Sequence, residues 1–474
     1  MSFSSVGIGS GLKVDEMVAQ LVALEKRPLA QLQTKAGTLN ARVSAYSQLK
    51  SQISNLQDQV NKLTTAATWQ GKTLTSANTA VVSGTASAKA GDGTFDVSVK
   101  HLATGQALGS AVVPAGTQLG TGTLTFTLGE WGEDGLVANT ADGQPATVAV
   151  EITDQEDTLA KIAAKINQAN AGVTATVLRD HTGERLSLQS NATGANAGFK
   201  VDVTQAEGAG LAQFAYGGPG GTDGMALSRA ARDTEAEING ITMFSRNNTF
   251  TDVAEGVNLT VAKAEPDSTV RITIKGDTAT AKSALKNLVD SYNALSGAMA
   301  TMTAYDPGTK AAGTLQGDST ASNLQAALRR MLSGPGGGGG AFGTLSQIGL
   351  SFQKDGSLAI DDAKLDKALE DPDSMTKFFA ADLPGTDQDG WAVRLKDFTT
   401  GLLSSDGVFA TKDSSLKESL KRNTQDQERV NVRAQSVEKR LLAQYTRLDM
   451  AMANLSALDS YVSQQVTAWN NQKN

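Results

Sequence analysis

Cysteine is absent from the 474 residues, which excludes disulfides, thiolate zinc sites and cysteine nucleophiles. The absence suits a cytosolic protein with few thiols, and equally a chain that must stay unlinked while it is exported; composition does not choose between them. Histidine is scarce: the two copies, His101 and His181, stand in separate strand-like segments with no carboxylates at ligand spacing. They read as solvated or packing groups, not as a metal site or a triad. Aromatic residues make up 5% of the chain. No run of about 18 apolar residues occurs, so no membrane-spanning helix is expected. Residues 1–12 hold no Lys or Arg, and the apolar positions after them are broken by charge, so no Sec-type signal is expected. Basic residues (42) are outnumbered by acidic ones (49), and the net charge of −7 is spread along the chain, unlike a nucleic-acid binder.

What is present is periodicity. Leu39, Val43, Tyr46, Leu49, Ile53, Leu56, Val60 and Leu63 recur every three or four residues, and from Tyr46 onward this is the heptad seam of a coiled coil. Ala434, Val437, Leu441, Tyr445, Leu448, Met452 and Leu455 repeat in nearly the same way. A narrow apolar stripe cannot be buried by its own helix. The simplest partner for one end is the other, with a strand-rich middle looped out between them. The length suits about three domains of roughly 150 residues each.

Asp15 is a plausible N-cap for a first helix carrying Met17, Leu21 and Leu24 on one face, and Pro28 should kink or restart it. The helical pattern weakens at Gly37 and then runs to about residue 65. Segments 79–83, 94–100, 121–128, 147–153, 173–178, 185–189, 200–204, 235–241, 249–253, 257–262 and 269–275 read as strands. An island of helix spans 157–170. The Gly-rich stretch 217–224 reads as a boundary loop, and 334–340 (GPGGGGG) as an exposed loop. Helices are expected at 281–302, 323–332, 362–369 and 372–379, with a short strand at 357–360. The last helix, 412–469, would be about 85 Å long. Asn423 and Gln427 fall on its seam, a cost in stability that helps to set register.

Candidates for chemistry fail on context. Gly7-Ile8-Gly9-Ser10-Gly11 follows no strand, and 336–340 lacks the Lys-Ser/Thr of a phosphate loop. Asp361-Asp362 could be a hydrolytic pair, but it opens an expected helix, where carboxylates serve as caps. Basic residues of the last helix (Lys417, Lys421, Arg422, Arg429, Arg433, Lys439, Arg440) alternate with Glu418, Asp426, Glu428 and Glu438, as on a solvated coiled-coil flank. The informative constellation is the pair of helical ends, which keep apolar faces beyond the strict seam. Met17, Leu21 and Leu24 at the front, and Leu441, Leu448, Met452, Leu455 and Val462 at the back, are the expected assembly positions. Apolar ends of this kind should be ordered only in a complex.

The opening, SSVGIGSGL at 4–12, then Val14-Asp15 and LVALEKRPL at 21–29, resembles that of the bacterial flagellar filament capping proteins, the hook-associated protein 2 family. Lys13 stands where that family often shows Asp. AEINGI at 236–241, NNTF at 247–250 and GVNLT at 256–260 look like its inner head domain, and the helix from Gln444 to Gln465 like its closing helix. Residues 158–199 are similar to a strand-helix-strand module of hook- and flagellin-related proteins.

The resemblance implies an α+β multidomain chain. Its N- and C-terminal helices would form a coiled-coil stalk and helical leg, with two inserted β-rich head domains. The expected divisions are 1–40 with 437–474 (terminal segment), 41–75 with 277–436 (leg), 76–112 with 224–276 (inner head) and 113–223 (outer head). The implied function is a non-enzymatic cap at the distal filament tip, under which exported flagellin folds and adds without leaking away. A symmetry mismatch with the filament would leave one open site and move the cap as subunits add. Implied partners are further copies of itself (pentamer to hexamer range), flagellin, hook–filament junction proteins, an export chaperone on the C-terminal helix and, in some members, host mucin. No cofactor, metal, nucleic acid or membrane insertion is implied. The implied location is extracellular, reached by the flagellar type III route. Two alternatives stand beside it: a surface adhesin binding mucin or glycan through the β domains, and a secreted hydrolase, for which no motif speaks.

Overall fold

A computed structural model describes residues 13–141, 144–145, 147–221, 224–383 and 388–471. The chain forms two compact units, one from residues up to Trp69 together with those from Thr278 on, the other from Gln70–Asp277. Long terminal helices with a strand-rich middle are the architecture expected from sequence.

The first unit is helical: α1 (Val14–Glu25), α2 (Arg27–Leu63), α3 (Ala66–Gln70) and, after α4 (Leu159–Gln168) of the other unit, α5 (Thr278–Thr303), α6 (Ser319–Ser333), α7 (Asp362–Ala368), α8 (Pro372–Ala380), α9 (Trp391–Leu403) and α10 (Val408–Asn471). Pro28 restarts the helix as expected: α1 ends at Glu25, and Pro28 sits in the first turn of α2, where its missing donor costs nothing. Asp15 is not the cap. It lies inside the first turn, and Lys13 at the N-cap position makes no capping bond.

The α2 seam is buried from Leu39 to Leu63, with Val43 partly covered. Leu49, Ile53, Leu56 and Leu63 are completely enclosed, each worth about 1.5–3 kcal/mol. The partner differs in part from the one expected. Tyr46 meets Phe409, in the first turn of α10, edge-on at 6.4 Å, so α10 begins opposite the middle of α2. From there α10 runs antiparallel back along the first half of α2 and along α1. Beyond Tyr46 the heptad of α2 is therefore buried by α5 and α9 instead, with Gln57 donating to Thr400 of α9 at 2.8 Å. In the same core Trp69 stacks on Phe379 at 4.5 Å.

The 334–340 stretch has no regular structure but is not an exposed loop. Gly336 lies against the Phe378 ring and Gly337 against the Asp389 carbonyl, so a side chain at either position would clash. Hydrogen bonds from Gly336 N to Gly343 O and from Gly338 N to Gln388 O pin the segment. Its glycines serve close packing rather than flexibility.

The second unit holds two cores. One lies between a five-stranded antiparallel sheet (Lys72–Ser76, Glu265–Gly276, Gly93–His101, Thr234–Ile238, Ile241–Ser245 in spatial order) and a three-stranded sheet of Thr249–Ala254, Val257–Val261 and Val82–Ala86. The single strand expected over 235–241 is a hairpin, because Asn239 and Gly240 adopt positive φ (52° and 81°) and reverse the chain. The other core is closed by α4, which buries Leu159, Ile162, Ala163 and Ile166. Gln106 is fully enclosed there: its side chain donates to Phe199 O at 2.7 Å and accepts from Phe199 N at 3.1 Å and Trp131 Nε1 at 2.6 Å. His101 lies 3.8 Å from Glu235 on the neighbouring strand and His181 is exposed in a turn.

Candidate assembly surface

The candidate surface is built from α1 and the free end of α10. α1 carries an apolar arc about 160° wide at 100° per residue. Val14, Val18 and Val22 occupy one half and are buried against Ala434, with Leu441, Leu442 and Tyr445 partly covered around them. Arg433 closes the contact by pairing with Glu25 at 3.0 Å. The other half of the arc holds the residues singled out from sequence. Met17 is partly buried at the edge of this cluster, while Leu21 and Leu24 are exposed. The chain thus covers the Val14 face itself and leaves the Leu21 face open. The sequence pattern showed the arc but not which half is used.

On α10, Leu441 belongs to the intramolecular contact, and further along that cover ends. Leu448, Met452, Leu455, Leu458, Val462, Val466 and Trp469 are all exposed, Leu455 at 65% and Val462 at 50%. At 100° per residue they share a stripe about 120° wide and about 32 Å long. Between Leu448 and Asn471 the only charged residues are Asp449 and Asp459. The structure leaves this long, nearly uncharged helix face in water.

Sequence reasoning missed the polar joint that anchors α10. The Tyr46 hydroxyl donates to Asp318 Oδ1 at 2.8 Å, and Lys412 Nζ lies 3.0 Å from Asp318 Oδ2 and 5.3 Å from the centre of the Tyr46 ring. Asp318 also caps α6, accepting from Thr320 N and Ala321 N. Burial alone pushes the Asp318 carboxyl up, but hydrogen bonds from Lys412 and Tyr46 and the Lys412 charge outweigh it and hold the group below the usual carboxylate range. Burial, and then Asp318, push the Tyr46 hydroxyl up. The one local signal was an Asp before a Ser-Thr helix start.

Farther along the seam, Asn423 is 2% exposed, accepts from Gln427 Nε2 at 2.6 Å, and leaves its own amide nitrogen without a partner. Asp361 caps α7 by accepting from Lys364 N, and Asp362 pairs with Lys282 at 2.9 Å, as the capping reading expected. Among the described residues no group of three or more His, Asp or Glu is placed to hold a metal, and no helix is long and apolar enough to cross a membrane.

Family models for the flagellar hook-associated protein 2 N-terminus and C-terminus match residues 10–106 and 231–457, and a flagellin hook IN motif matches 123–192. The last begins well before the strand-helix-strand segment singled out from sequence. The flagellar hook-associated protein 2 of Escherichia coli K12 is 28% identical over 483 residues, covering 100% of both chains. The B-type protein of Pseudomonas aeruginosa is 28% identical over 485 residues, covering 98% of this chain and 96% of its own. The crystal structure of the D1-D2-D3 domains of the Escherichia coli flagellar cap protein FliD is 28% identical, with a TM-score of 0.62 over 79% of this chain and 99% of that one.

Proposed function

The chain belongs to the flagellar hook-associated protein 2 family, and on that premise we propose how it works as a flagellar filament cap. The reading is structural, with no catalytic step. The observation that supports it is the bare stripe from Leu448 to Trp469 on α10. Hydrophobic burial is roughly proportional to the apolar area removed from water, so such a stripe favours contact with other subunits.

In this reading Leu448, Met452, Leu455 and Val462, with Leu21 and Leu24 of α1, pack against neighbouring copies in a ring of about five or six. Met17 and Leu441, at the edge of the cluster the chain forms with itself, align the two helices. Exported flagellin is held beneath the ring until it folds and joins the filament. An uncovered α10 end is also a surface that an export chaperone could shield, and the hook–filament junction proteins would be the first seat of the cap. No observation on the described residues favours the adhesin reading.

Removing residues 455–474 tests this. The truncated protein should stay folded and soluble yet fail to cap, and cells making it should release flagellin monomers into the medium. Normal filaments on those cells would refute the assignment.

A further inference from the structure

The Ile241–Ser245 strand ends the five-stranded sheet, so one of its edges has no strand partner among the described residues. Protein edges are usually blunted by a charge, a proline or a bulge. This strand reads Ile-Thr-Met-Phe-Ser, and it pairs with Thr234–Ile238 residue for residue with no shift of register. Ile241 and Phe244 are 66% and 63% exposed. At the opposite edge of the sheet, Lys72 supplies a charge, ion-paired with Asp92 at 2.6 Å.

The tight Asn239-Gly240 turn makes Ile238 and Ile241 the first hydrogen-bonded pair of the hairpin. By antiparallel alternation, the N–H and C=O groups of Thr242 and Phe244 then face away from the sheet. That pattern is complementary to itself. A two-fold axis at Met243 sets Thr242 opposite Phe244 of a second copy, and Phe244 opposite its Thr242. Each pair exchanges two hydrogen bonds, so every outward group of these two residues is matched. The strand carries no charge, so opposing it with itself creates no like-charge contact. The nearest acids, Glu235 and Glu237, sit one strand further in, leaving those of the two copies three strand spacings apart, about 14 Å.

We propose that Ile241–Ser245 is a strand-pairing contact between two copies of this chain, antiparallel about Met243. It lies in the Gln70–Asp277 unit and does not rest on the α10 surface.

The absence of cysteine lets a single introduced thiol report the contact. In a non-hydrogen-bonded antiparallel pair the Cα atoms are about 4.5 Å apart, within the roughly 4.4–6.8 Å that a disulfide spans. Full-length protein carrying Met243→Cys, concentrated and mildly oxidised, should therefore give a covalent homodimer as its main product. Ile241→Cys should not, because its two copies lie four residues apart along the pairing, about 13 Å. Adding Phe244→Lys to Met243→Cys should cut the dimer yield at least tenfold without changing the circular dichroism. All variants carry Leu455→Asp and Val462→Asp, which keeps association through α10 out of the readout. Should Met243→Cys fail to fold, sedimentation equilibrium with and without Phe244→Lys decides. Equal cross-linking at 241 and 243, no dimer from folded Met243→Cys, or indifference to Phe244→Lys overturns the proposal.

Discussion

The Tyr46 hydroxyl donates a 2.8 Å hydrogen bond to Asp318, across 272 positions of sequence. With Lys412 it ties the middle of α2, the start of α6 and the first turns of α10 into one joint.

Removing the acceptor should hurt more than removing the donor. Tyr46→Phe leaves Asp318 paired with Lys412 and should cost about 1–2 kcal/mol. Asp318→Ala strands both partners and uncaps α6 together, for about 2–4 kcal/mol. Urea midpoints of the two variants check the order; a milder effect for Asp318→Ala would contradict the geometry.

The same joint sets a pH dependence at both extremes. The Asp318 carboxyl is depressed in the folded state. Its stabilisation is therefore present above the unfolded value of about 3.9 and is lost as pH falls through the lower folded value. The Tyr46 hydroxyl is raised, so its stabilisation is full below about 10 and fades as pH climbs further. Tyr46→Phe should thus flatten the alkaline limb of stability against pH. Asp318→Ala should flatten the acid limb. Denaturation midpoints from pH 2 to 11 give both slopes.

Asn423 holds a buried amide nitrogen with no acceptor. Such a group costs about 1–3 kcal/mol, so Asn423→Leu should stabilise the helical unit by a comparable amount, read as a higher melting temperature. Loss of stability would mean that the amide has a partner.

Leu455→Asp with Val462→Asp alters only exposed positions and should move the unfolding free energy by about 0.5 kcal/mol or less. Charges in the bare stripe should nevertheless suppress self-association of purified protein, measured by light scattering, and abolish filament capping in cells. Unimpaired capping would place the working surface elsewhere.

Much of the fold was readable because its signals are local. The seam of α2, the restart at Pro28, the great length of α10 and the amphipathic α4 each follow from the spacing of apolar residues within one element. The hairpin Thr234–Ser245 reads as a single strand over 235–241 when alternation alone is followed; the local signal for the reversal is the Asn239-Gly240 pair, whose positive φ at both positions turns the chain back. The 334–340 glycines looked like slack, since composition does not reveal the Phe378 ring pressed against Gly336. The Tyr46–Asp318–Lys412 joint had no signature as a unit, its members being scattered over three distant helices.

The sequence by itself determined most of the helices, though not α9, and the strand-rich character of the middle, that the terminal helices carry apolar stripes, and that no thiol chemistry takes part. Tertiary structure alone decided coverage: Val14, Val18 and Val22 face α10 while Leu21 and Leu24 do not, α5 and α9 rather than α10 bury the heptad beyond Tyr46, and the cover on α10 gives out after Tyr445. The reason is physical. Periodicity belongs to a single helix, whereas burial is a relation between two surfaces and depends on where the chain turns back on itself.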